Sequence, residues 1–363
     1  MSFRVEPGWQ HGRTVDRVGL LLVNLGTPDE PTASALRRYL AEFLSDPRVV
    51  EIPRAIWWPI LHGVILRVRP AKSAAKYASV WMPEGSPLAV WTERQARALA
   101  LAMAGRGHAK VLVRHAMRYG NPSMASVLDA LRSEGCTRVL VLPLYPQYAA
   151  ATTASVGDAA MRWALAARRV PEMRFVSEYH DDPGYIAALA ESLRRHWAQQ
   201  PAGECLVLSF HGVPERSLLM GDPYHCQCHK TARLLREALG LPPERVRVTF
   251  QSRFGKAKWL EPYTEPTLRA LATQGVKSVD VVCPGFVADC LETLEEIAQE
   301  AQHAFIEAGG QRFHYVPCLN DDPSWIDALA GIAERHLQGW PTRGEPTADG
   351  AQRERALALG AKD

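Results

Sequence analysis

The sequence predicts an α/β fold of two similar domains, each a parallel sheet flanked by helices. Short Val- and Leu-rich runs alternate with alanine-rich helical stretches, and this alternation occurs twice along the chain. The length of 363 residues suffices for about two domains. We expect the first domain to span residues 17–170 and the second residues 171–341. Residues 342–363 are rich in glycine, alanine and charge, and we expect them to form a disordered tail.

The predicted strands are short apolar runs, as buried parallel strands usually are. In chain order they are Val18–Leu25, Lys110–Val113, Arg138–Leu144, Arg174–Ser177, Leu206–Phe210, Val246–Phe250, Val279–Cys283 and Arg312–Pro317. The predicted helices are Thr32–Phe43, Trp91–Ala104, Ser123–Ser133, Tyr185–Gln199, Lys230–Leu239 and Thr264–Gln274. Because ligands of open parallel sheets bind beyond the carboxyl ends of the strands, residues that follow a strand are the candidates for function.

Composition and charge narrow the function classes. Apolar residues make up 47% of the chain and charged residues 22%, which is ordinary for a globular protein. The net charge of +3 excludes a nucleic-acid-binding protein driven by bulk charge. We find no apolar run long enough to span a bilayer and no secretory signal in the polar N-terminus. We therefore expect a cytoplasmic protein whose seven cysteines are reduced.

One histidine stands at the predicted carboxyl end of a strand. His211 follows the run Leu206–Phe210 and precedes Gly212 and Pro214. Imidazole titrates near neutral pH and binds borderline metals, so this position favours a general base or a metal ligand. A histidine packed in the core is the alternative.

Three carboxylates recur at helical spacing further along the chain. Asp289, Glu292 and Glu296 are spaced i, i+3 and i+7, so a helix that starts near Asp289 would present them on one face. This face is either a solvated acidic first turn, which the helix dipole favours, or the wall of a cleft. In a poorly hydrated cleft such a row could pass a cation or a proton.

An apolar, aromatic segment with basic residues behind it lies in the first half. Ile56–Leu66 contains Trp57 and Trp58, but Pro59 and Gly63 are unfavourable in a core helix. The segment therefore favours a mobile lip that lines an apolar pocket or touches a bilayer surface. The basic residues that follow suit either a flat ligand with carboxylates or a solvated helix face; they are Arg67, Arg69, Lys72 and Lys76.

The segment 225–229, His-Cys-Gln-Cys-His, has the composition of a metal site. Its ligands are too close together for one tetrahedral ion, and no second cysteine pair completes it. The spacing favours a polar loop with incidental thiols.

Seven segments taken together resemble the ferrochelatase family, whose members insert ferrous iron into a porphyrin. The resemblance runs from about Gly19 to Leu337. Its landmarks are Leu22–Pro28, Phe43–Asp46, Gly85–Leu88, Tyr145–Tyr148, Ser209–Pro214, Gln251–Gly255 with Trp259–Leu260, and Asp289–Glu296. The resemblance implies two Rossmann-like domains of the chelatase type that face one cleft.

The resemblance also implies roles for single residues. His211 and Glu292 would be the catalytic residues and metal ligands, and Asp289 and Glu296 would continue an acidic path for protons or metal. The implied porphyrin-binding residues are Tyr77, Ser86, Arg69, Arg118, Tyr119 and Trp259. The implied reaction inserts Fe²⁺ into protoporphyrin IX, which yields protohaem and two protons.

We expect no permanently bound cofactor, because Fe²⁺ is a substrate in this reaction. Some relatives hold a [2Fe–2S] cluster through cysteines near the C-terminus. In this chain no cysteine follows Cys318, so we expect no such cluster.

Three alternatives stay open at this point: a coproporphyrin III ferrochelatase, a cobalt chelatase, and a non-catalytic porphyrin or haem carrier. A cobalt chelatase would bring further histidines to the metal site, whereas this chain has Cys290 at a position that is often histidine in relatives. The expected partners are a porphyrin and ferrous iron, with no nucleic acid. Trp57 and Trp58 indicate a peripheral contact with the inner face of the membrane.

Overall fold

The computed structural model describes residues 16–255, 257–344 and 350–362, which contain two parallel four-stranded sheets. The first sheet has the order β2-β1-β3-β4, and its strands are β1 (Arg17–Thr27), β2 (Val111–Gly120), β3 (Cys136–Pro143) and β4 (Glu172–Phe175). The second sheet repeats the layout as β6-β5-β7-β8, with β5 (Cys205–His211), β6 (Val246–Gln251), β7 (Ser278–Val282) and β8 (Arg312–Tyr315). The predicted fold class is confirmed.

Helices connect the strands and cover both sheets. The α-helices are α1 (Ala33–Phe43), α2 (Arg54–Ile60), α3 (Leu66–Val80), α4 (Pro87–Gly105), α5 (Met124–Ser133), α6 (Ser155–Ala166), α7 (Pro183–Gln199), α8 (Glu215–Leu219), α9 (Tyr224–Leu239), α10 (Thr264–Thr273), α11 (Gln302–Glu307), α12 (Pro323–Leu337) and α13 (Gly350–Ala358). Three π-helical segments lie at Leu61–Ile65, Ala150–Ala154 and Glu292–Ala301, and a 3₁₀ turn lies at Pro243–Arg245.

The helix that follows the fourth strand of each sheet begins with the same pair of residues. Asp182 and Pro183 start α7, and Asp322 and Pro323 start α12. Each aspartate accepts a hydrogen bond, 2.9 Å long, from the N–H two residues further on. The carboxylate thus satisfies an N–H that has no partner in the helix, and a proline at the first helical position loses no hydrogen bond. The repeated start signal agrees with a layout that occurs twice.

One hydrophobic core joins the two halves of the chain. It includes Leu20 of β1 and Leu208 of β5 together with apolar residues of α4, α7, α9 and α12. Tyr179, Tyr185 and Trp325 meet within it, with ring centroids 5.8–6.0 Å apart. The helices between the sheets therefore belong to both halves, and they fix the position of one sheet against the other.

The glycine that ends β1 is required by a close approach of two strands. Gly26 has φ +111°, and a Cβ built on it would lie 1.8 Å from the carbonyl oxygen of Tyr119. Only glycine tolerates both conditions. It lets β1 continue beside β2 up to Thr27, whose side chain then points towards Ser86.

The structure differs from the sequence predictions at three places in the chain. The domain boundary at 170/171 falls before β4, which pairs with β3, because Pro171 precedes an edge strand rather than a new domain. Residues 225–229 belong to α9 and not to a loop, since Gln227 and Cys228 are buried on its inner face. The predicted tail contains α13, a run of good helix formers. Residues 345–349 and 363 of that tail lie outside the described residues, as do residues 1–15, the N-terminus for which no secretory signal is predicted.

Candidate active site

A cleft opens where the carboxyl ends of the two sheets face each other. It holds about 1210 Å³ of empty space counted to its open mouth, and its lining is mostly apolar. The first half contributes residues that follow β1 and β3, and the second half contributes residues that follow β5 and β7. This is the position at which open parallel sheets bind their ligands, so the strand-end prediction identified the correct region.

His211 is the last residue of β5 and lies on the wall of the cleft. Its Nδ1 is 2.6 Å from the carbonyl oxygen of Gly212, which favours the tautomer with the proton on Nδ1. The other ring nitrogen, Nε2, then presents a lone pair. Gln251, the register partner of His211 on β6, donates from Nε2 to the carbonyl oxygen of Glu292 at 2.8 Å. This hydrogen bond connects the ends of β5 and β6 to Glu292, the first residue of the helix that carries the carboxylates.

The carboxylates lie on the π-helix Glu292–Ala301. Glu292 lines the cleft, whereas Glu296, one turn further on, lines a second cavity of about 750 Å³ together with Ser252 and Tyr263. A π-helix closes its turns with i→i+5 hydrogen bonds, so residues four apart lie close to one face. The two glutamates therefore lie one after the other between the cleft and the second cavity.

Burial raises the pKa of Glu296 above its ordinary value. Hydrogen bonds from Ser252 oppose this shift without cancelling it. The backbone N–H of Ser252 donates to Oε1 at 2.6 Å, and its hydroxyl donates to Oε2. Ser252 adopts φ +66°, an unfavourable conformation for a serine, and both donors reach the carboxylate from it. The carboxyl can thus exchange a proton closer to neutral pH than an exposed glutamate can.

Asp289 lies before the π-helix, so the predicted single face of three carboxylates is wrong. It is buried and does not line the cleft. Its Oδ1 accepts hydrogen bonds from Tyr315 and, at 3.1 Å, from Thr293, and its Oδ2 accepts from Asn320 at 2.7 Å. The periodicity missed this arrangement because it assumed an α-helix that starts three residues too early. The role of Asp289 in an acidic path stays a prediction.

Lys76 of the predicted basic rim turns to the outside of the π-helix. Its Nζ lies 2.8 Å from Oε1 of Glu295 and 2.9 Å from Oε1 of Glu300. Burial raises the pKa of Glu295, and the hydrogen bond from Lys76 opposes that shift. The ammonium therefore connects α3 to the acidic helix rather than facing the mouth of the cleft.

Three of the predicted porphyrin-binding residues line the cleft, namely Tyr77, Ser86 and Trp259. Ser86 accepts a hydrogen bond of 2.7 Å from Thr27. The indole N–H of Trp259 is buried and has no hydrogen-bond partner among the described residues. Arg69 is exposed, and its guanidinium lies 5.5 Å from the ring centroid of Phe254, which lines the cleft. The structure thus places this cation on an aromatic ring that belongs to the cleft lining.

Arg118 and Tyr119 lie beneath the wall rather than on it. The Arg118 guanidinium is paired with the buried carboxylate of Asp46 and donates to the carbonyl oxygen of Ser155 at 2.9 Å. The Tyr119 hydroxyl donates to Asp46 at 2.8 Å, and neither side chain lines the cleft. Hydrogen bonds to its charged form lower the pKa of Asp46 despite its burial. A direct contact of these two residues with a ligand stays a prediction.

Several residues of the lining have no role predicted from the sequence. Tyr145 follows β3, lines the cleft and has a buried hydroxyl without a partner among the described residues. Phe286 follows β7, and its ring lies 6.3 Å from that of His211. Phe254 lies 5.1 Å from Trp259, measured between ring centroids. Tyr145 lies in the strand-end segment Tyr145–Tyr148 that the resemblance already includes, whereas the strand-end rule could have selected Phe286 as well.

The apolar lip is helical throughout, from α2 through the π-helical segment to α3. Trp57 is half-buried and donates its indole N–H to the carbonyl oxygen of Leu44 at 2.6 Å. Trp58 is 46% exposed. The other exposed apolar residues of this surface are Ile52, Ile56, Ile60, Val64 and Val68. Among the described residues we find no helix with the length and apolar character needed to cross a membrane.

Comparisons with known proteins agree with this geometry. A family model described as Ferrochelatase matches residues 17–337. The chain is 68% identical to the ferrochelatase of Methylibium petroleiphilum, covering 100% of both chains, and 64% identical to that of a Polaromonas species, covering 99% of this chain and 100% of the relative. Among solved structures, SirB from Bacillus subtilis with Fe³⁺ has a TM-score of 0.54 at 14% identity, over 92% of this chain and 100% of SirB. That likeness supports the fold.

Proposed function

The chain belongs to the ferrochelatase family, and we propose that it inserts ferrous iron into protoporphyrin IX at the cleft wall that carries His211 and Glu292. The enzyme is classed as a lyase. Iron forms bonds to all four porphyrin nitrogens, two of which lose their protons, and protohaem and two protons are the products. The observation that carries the assignment of residues is an apolar cleft lined by an imidazole at the end of β5 and a carboxylate at the start of the π-helix that follows β7.

The cleft suits a large, flat and apolar ligand. Its mostly apolar lining, which includes the aromatic rings of Phe254, Trp259 and Phe286, favours burial of a macrocycle. A porphyrin also carries propionates, which need a cation or a hydrogen-bond donor where they end. Arg69 at the mouth and Ser86 inside supply these groups.

The chemistry requires that iron lose its water and that two pyrrole protons be removed. His211 and Glu292 divide these two tasks between them, since imidazole and carboxylate both suit ferrous iron and both accept protons. Glu296 continues the path into the second cavity. The buried carboxylate of Asp289, which precedes the π-helix, is a further member of the acidic row in this proposal. Iron is a substrate in this proposal, and the proposed reaction involves no permanently bound cofactor or cluster.

Arg118 and Tyr119 act as supports in this proposal. They hold Asp46 and Ser155 beneath the wall and thereby fix the backbone that carries the lining. A porphyrin that reached them would have to open the buried ion pair with Asp46, at the cost of an uncompensated charge.

The test is anaerobic incubation of the purified chain with ferrous iron and protoporphyrin IX, followed by the absorption change on metallation. Loss of a positioned acid–base group lowers rates by about 10²–10⁴-fold, and we expect losses of that order in H211A and E292Q. Glu307→Gln is the matched control, because this exposed carboxylate is paired with Arg269 away from both cavities. Turnover of H211A and E292Q at the rate of E307Q would overturn the assignment.

We infer further that the exposed lip contacts the cytoplasmic face of a membrane. Trp58 and Ile56 present apolar surface to solvent next to the basic residues of α3. Burying such side chains in lipid stabilises binding by about 1–2 kcal/mol each, so I56S/W58S should weaken sedimentation with anionic vesicles at least about tenfold. Leu101→Ser, which changes a more exposed apolar residue on α4, is the control and should bind as the unchanged chain does. Equal binding of both variants would contradict the lip proposal.

A further inference from the structure

A second group of metal-ligating side chains lies in the second half, away from the cleft. His196 on α7, Asp280 on β7 and His314 on β8 each offer one ligand atom, and these three atoms lie within 4.8 Å of one another. Asp280 and His314 are register partners on neighbouring strands, so their side chains stand on the same face of the sheet. None of the three residues lines the cleft or the cavity beside Glu296.

The distances fit one small divalent ion. Nδ1 of His314 lies 2.9 Å from Oδ1 of Asp280, and Nε2 of His196 lies 4.0 Å from the same oxygen. Adjacent ligand atoms around a tetrahedral zinc ion are separated by about 3.3 Å when the bonds are about 2.0–2.1 Å long. The two observed distances lie on either side of that value, so small rotations of the side chains bring all three atoms onto one ion.

The carboxylate is held with one oxygen facing the imidazoles. Its other oxygen, Oδ2, accepts hydrogen bonds from the indole N–H of Trp197 and the backbone N–H of Gly203, both 2.7 Å long. A Cβ on Gly203 would lie 2.8 Å from the backbone nitrogen of Asp280, so only glycine brings its N–H this close. Hydrogen bonds of this kind orient carboxylate ligands in protein metal sites.

The amide of Gln200 supplies a fourth polar group. Its nitrogen lies 2.7 Å from Nε2 of His196. Because amide oxygen and nitrogen have the same shape around the last bond, a half-turn presents the oxygen in place of the nitrogen. The oxygen can then serve as a fourth ligand, or leave room for water.

Charge gives an independent reason for a cation at this position. The side chain of Asp280 is 1% exposed, and its ionic partners among the described residues are the two histidines. A buried carboxylate is costly unless a positive charge compensates it. The side chains of His196 and His314 are 13% and 15% exposed, so an ion can reach the site from solvent.

We propose that His196, Asp280 and His314 bind one divalent transition metal, separate from the iron that the cleft handles as substrate. Two imidazoles and one carboxylate form a ligand set that suits zinc or ferrous iron. The ion would tie α7 to the neighbouring strands β7 and β8 of the second sheet.

Zinc is the probe, and its affinity is measured by competition with a chromophoric chelator. The parent for this test is the H211A/E292Q chain, in which the cleft ligands no longer contribute. We expect one equivalent of zinc to bind the parent, and H314A or D280N to weaken that binding by at least about tenfold. The control H303A removes an exposed histidine from α11 and should leave the affinity unchanged.

Thermal unfolding provides the second readout. A metal that binds only the folded chain raises Tm with increasing concentration, and we expect this rise in the parent but not in H314A. His196→Ala changes a helix position at the solvent edge and serves if the strand variants do not fold. Equal zinc affinity and an equal rise of Tm in H196A, H314A and H303A would overturn the site and would mean that a protonated histidine balances Asp280.

Discussion

Glu296 shows how the surroundings of one carboxylate set its chemistry. An exposed glutamate is ionised at neutral pH, whereas burial beside the cleft raises the pKa of this group. Two hydrogen bonds from Ser252 stabilise its charged form and limit the rise. A group in this balance can receive a proton that leaves the porphyrin and release it into the second cavity.

Removal of the Ser252 hydroxyl should shift the pH dependence of iron insertion. Hydrogen bonds to a carboxylate favour its charged form, so S252A raises the pKa of Glu296 further. If the ionised form accepts protons, kcat/KM rises with pH as Glu296 ionises, and the midpoint of this acid limb moves to higher pH in S252A. The measurement is kcat/KM against pH for the unchanged chain and for S252A. The variant S252G also lacks the hydroxyl but favours the positive φ, and it should move the acid limb in the same direction.

Glu296→Gln tests whether that limb belongs to this residue. The amide does not titrate, so the limb should disappear and leave a low, pH-independent rate. An acid limb that persists in E296Q, or one that stays in place in S252A, would contradict the assignment.

Single residues were predictable where the backbone decides their position. His211 follows a strand, and strand ends meet at the ligand edge of a parallel sheet, so its placement required no knowledge of its partners. Arg118 and Asp289 are different, because their environment depends on partners distant in sequence. Arg118 pairs with Asp46, and Asp289 accepts a hydrogen bond from Tyr315. Neither contact can be predicted from the residues adjacent in sequence.

Elements followed the hydrophobic pattern closely, and the exceptions have physical reasons. The inner strands were predictable because they are apolar runs that the sheet buries, as with Leu20 and Leu22 of β1, which are fully buried. The helix α9 begins six residues earlier than its periodicity suggested, because buried Gln227 and Cys228 interrupt the apolar pattern on its inner face. Polar residues that find buried partners do not register as core in a hydrophobic pattern.

The π-helix is an element that periodicity could not specify. Carboxylates spaced i, i+3 and i+7 fit an α-helical face, but the extra residue in each π turn changes which of them coincide. In this helix Glu292 lines the cleft and Glu296 lines the neighbouring cavity. Glu295 lies on another side of the helix, where it pairs with Lys76. One helix thus carries two glutamates that line cavities, Glu292 and Glu296, and a third, Glu295, that forms an ion pair outside them.

At the scale of the whole molecule, the cleft exists because one core holds the two sheets together. The sequence predicts two domains from a repeated layout, and a repeat of layout does not reveal whether the halves share packing. The shared helices α7 and α12 determine that they do, through contacts such as that between Tyr185 and Trp325. The carboxyl ends of both sheets are then fixed across the cleft.

This shared core predicts that the two halves unfold together. Trp325 is fully buried and packs against Tyr179 and Tyr185, so W325A should lower the free energy of unfolding by about 3–5 kcal/mol. Because the residue serves both halves, urea transitions followed by circular dichroism and by fluorescence should coincide in the unchanged chain and move together in the variant. Trp58→Ala, which removes an exposed indole, is the control and should leave the midpoint in place. Two separate transitions, or a W325A effect confined to one of them, would show that each half is stabilised on its own.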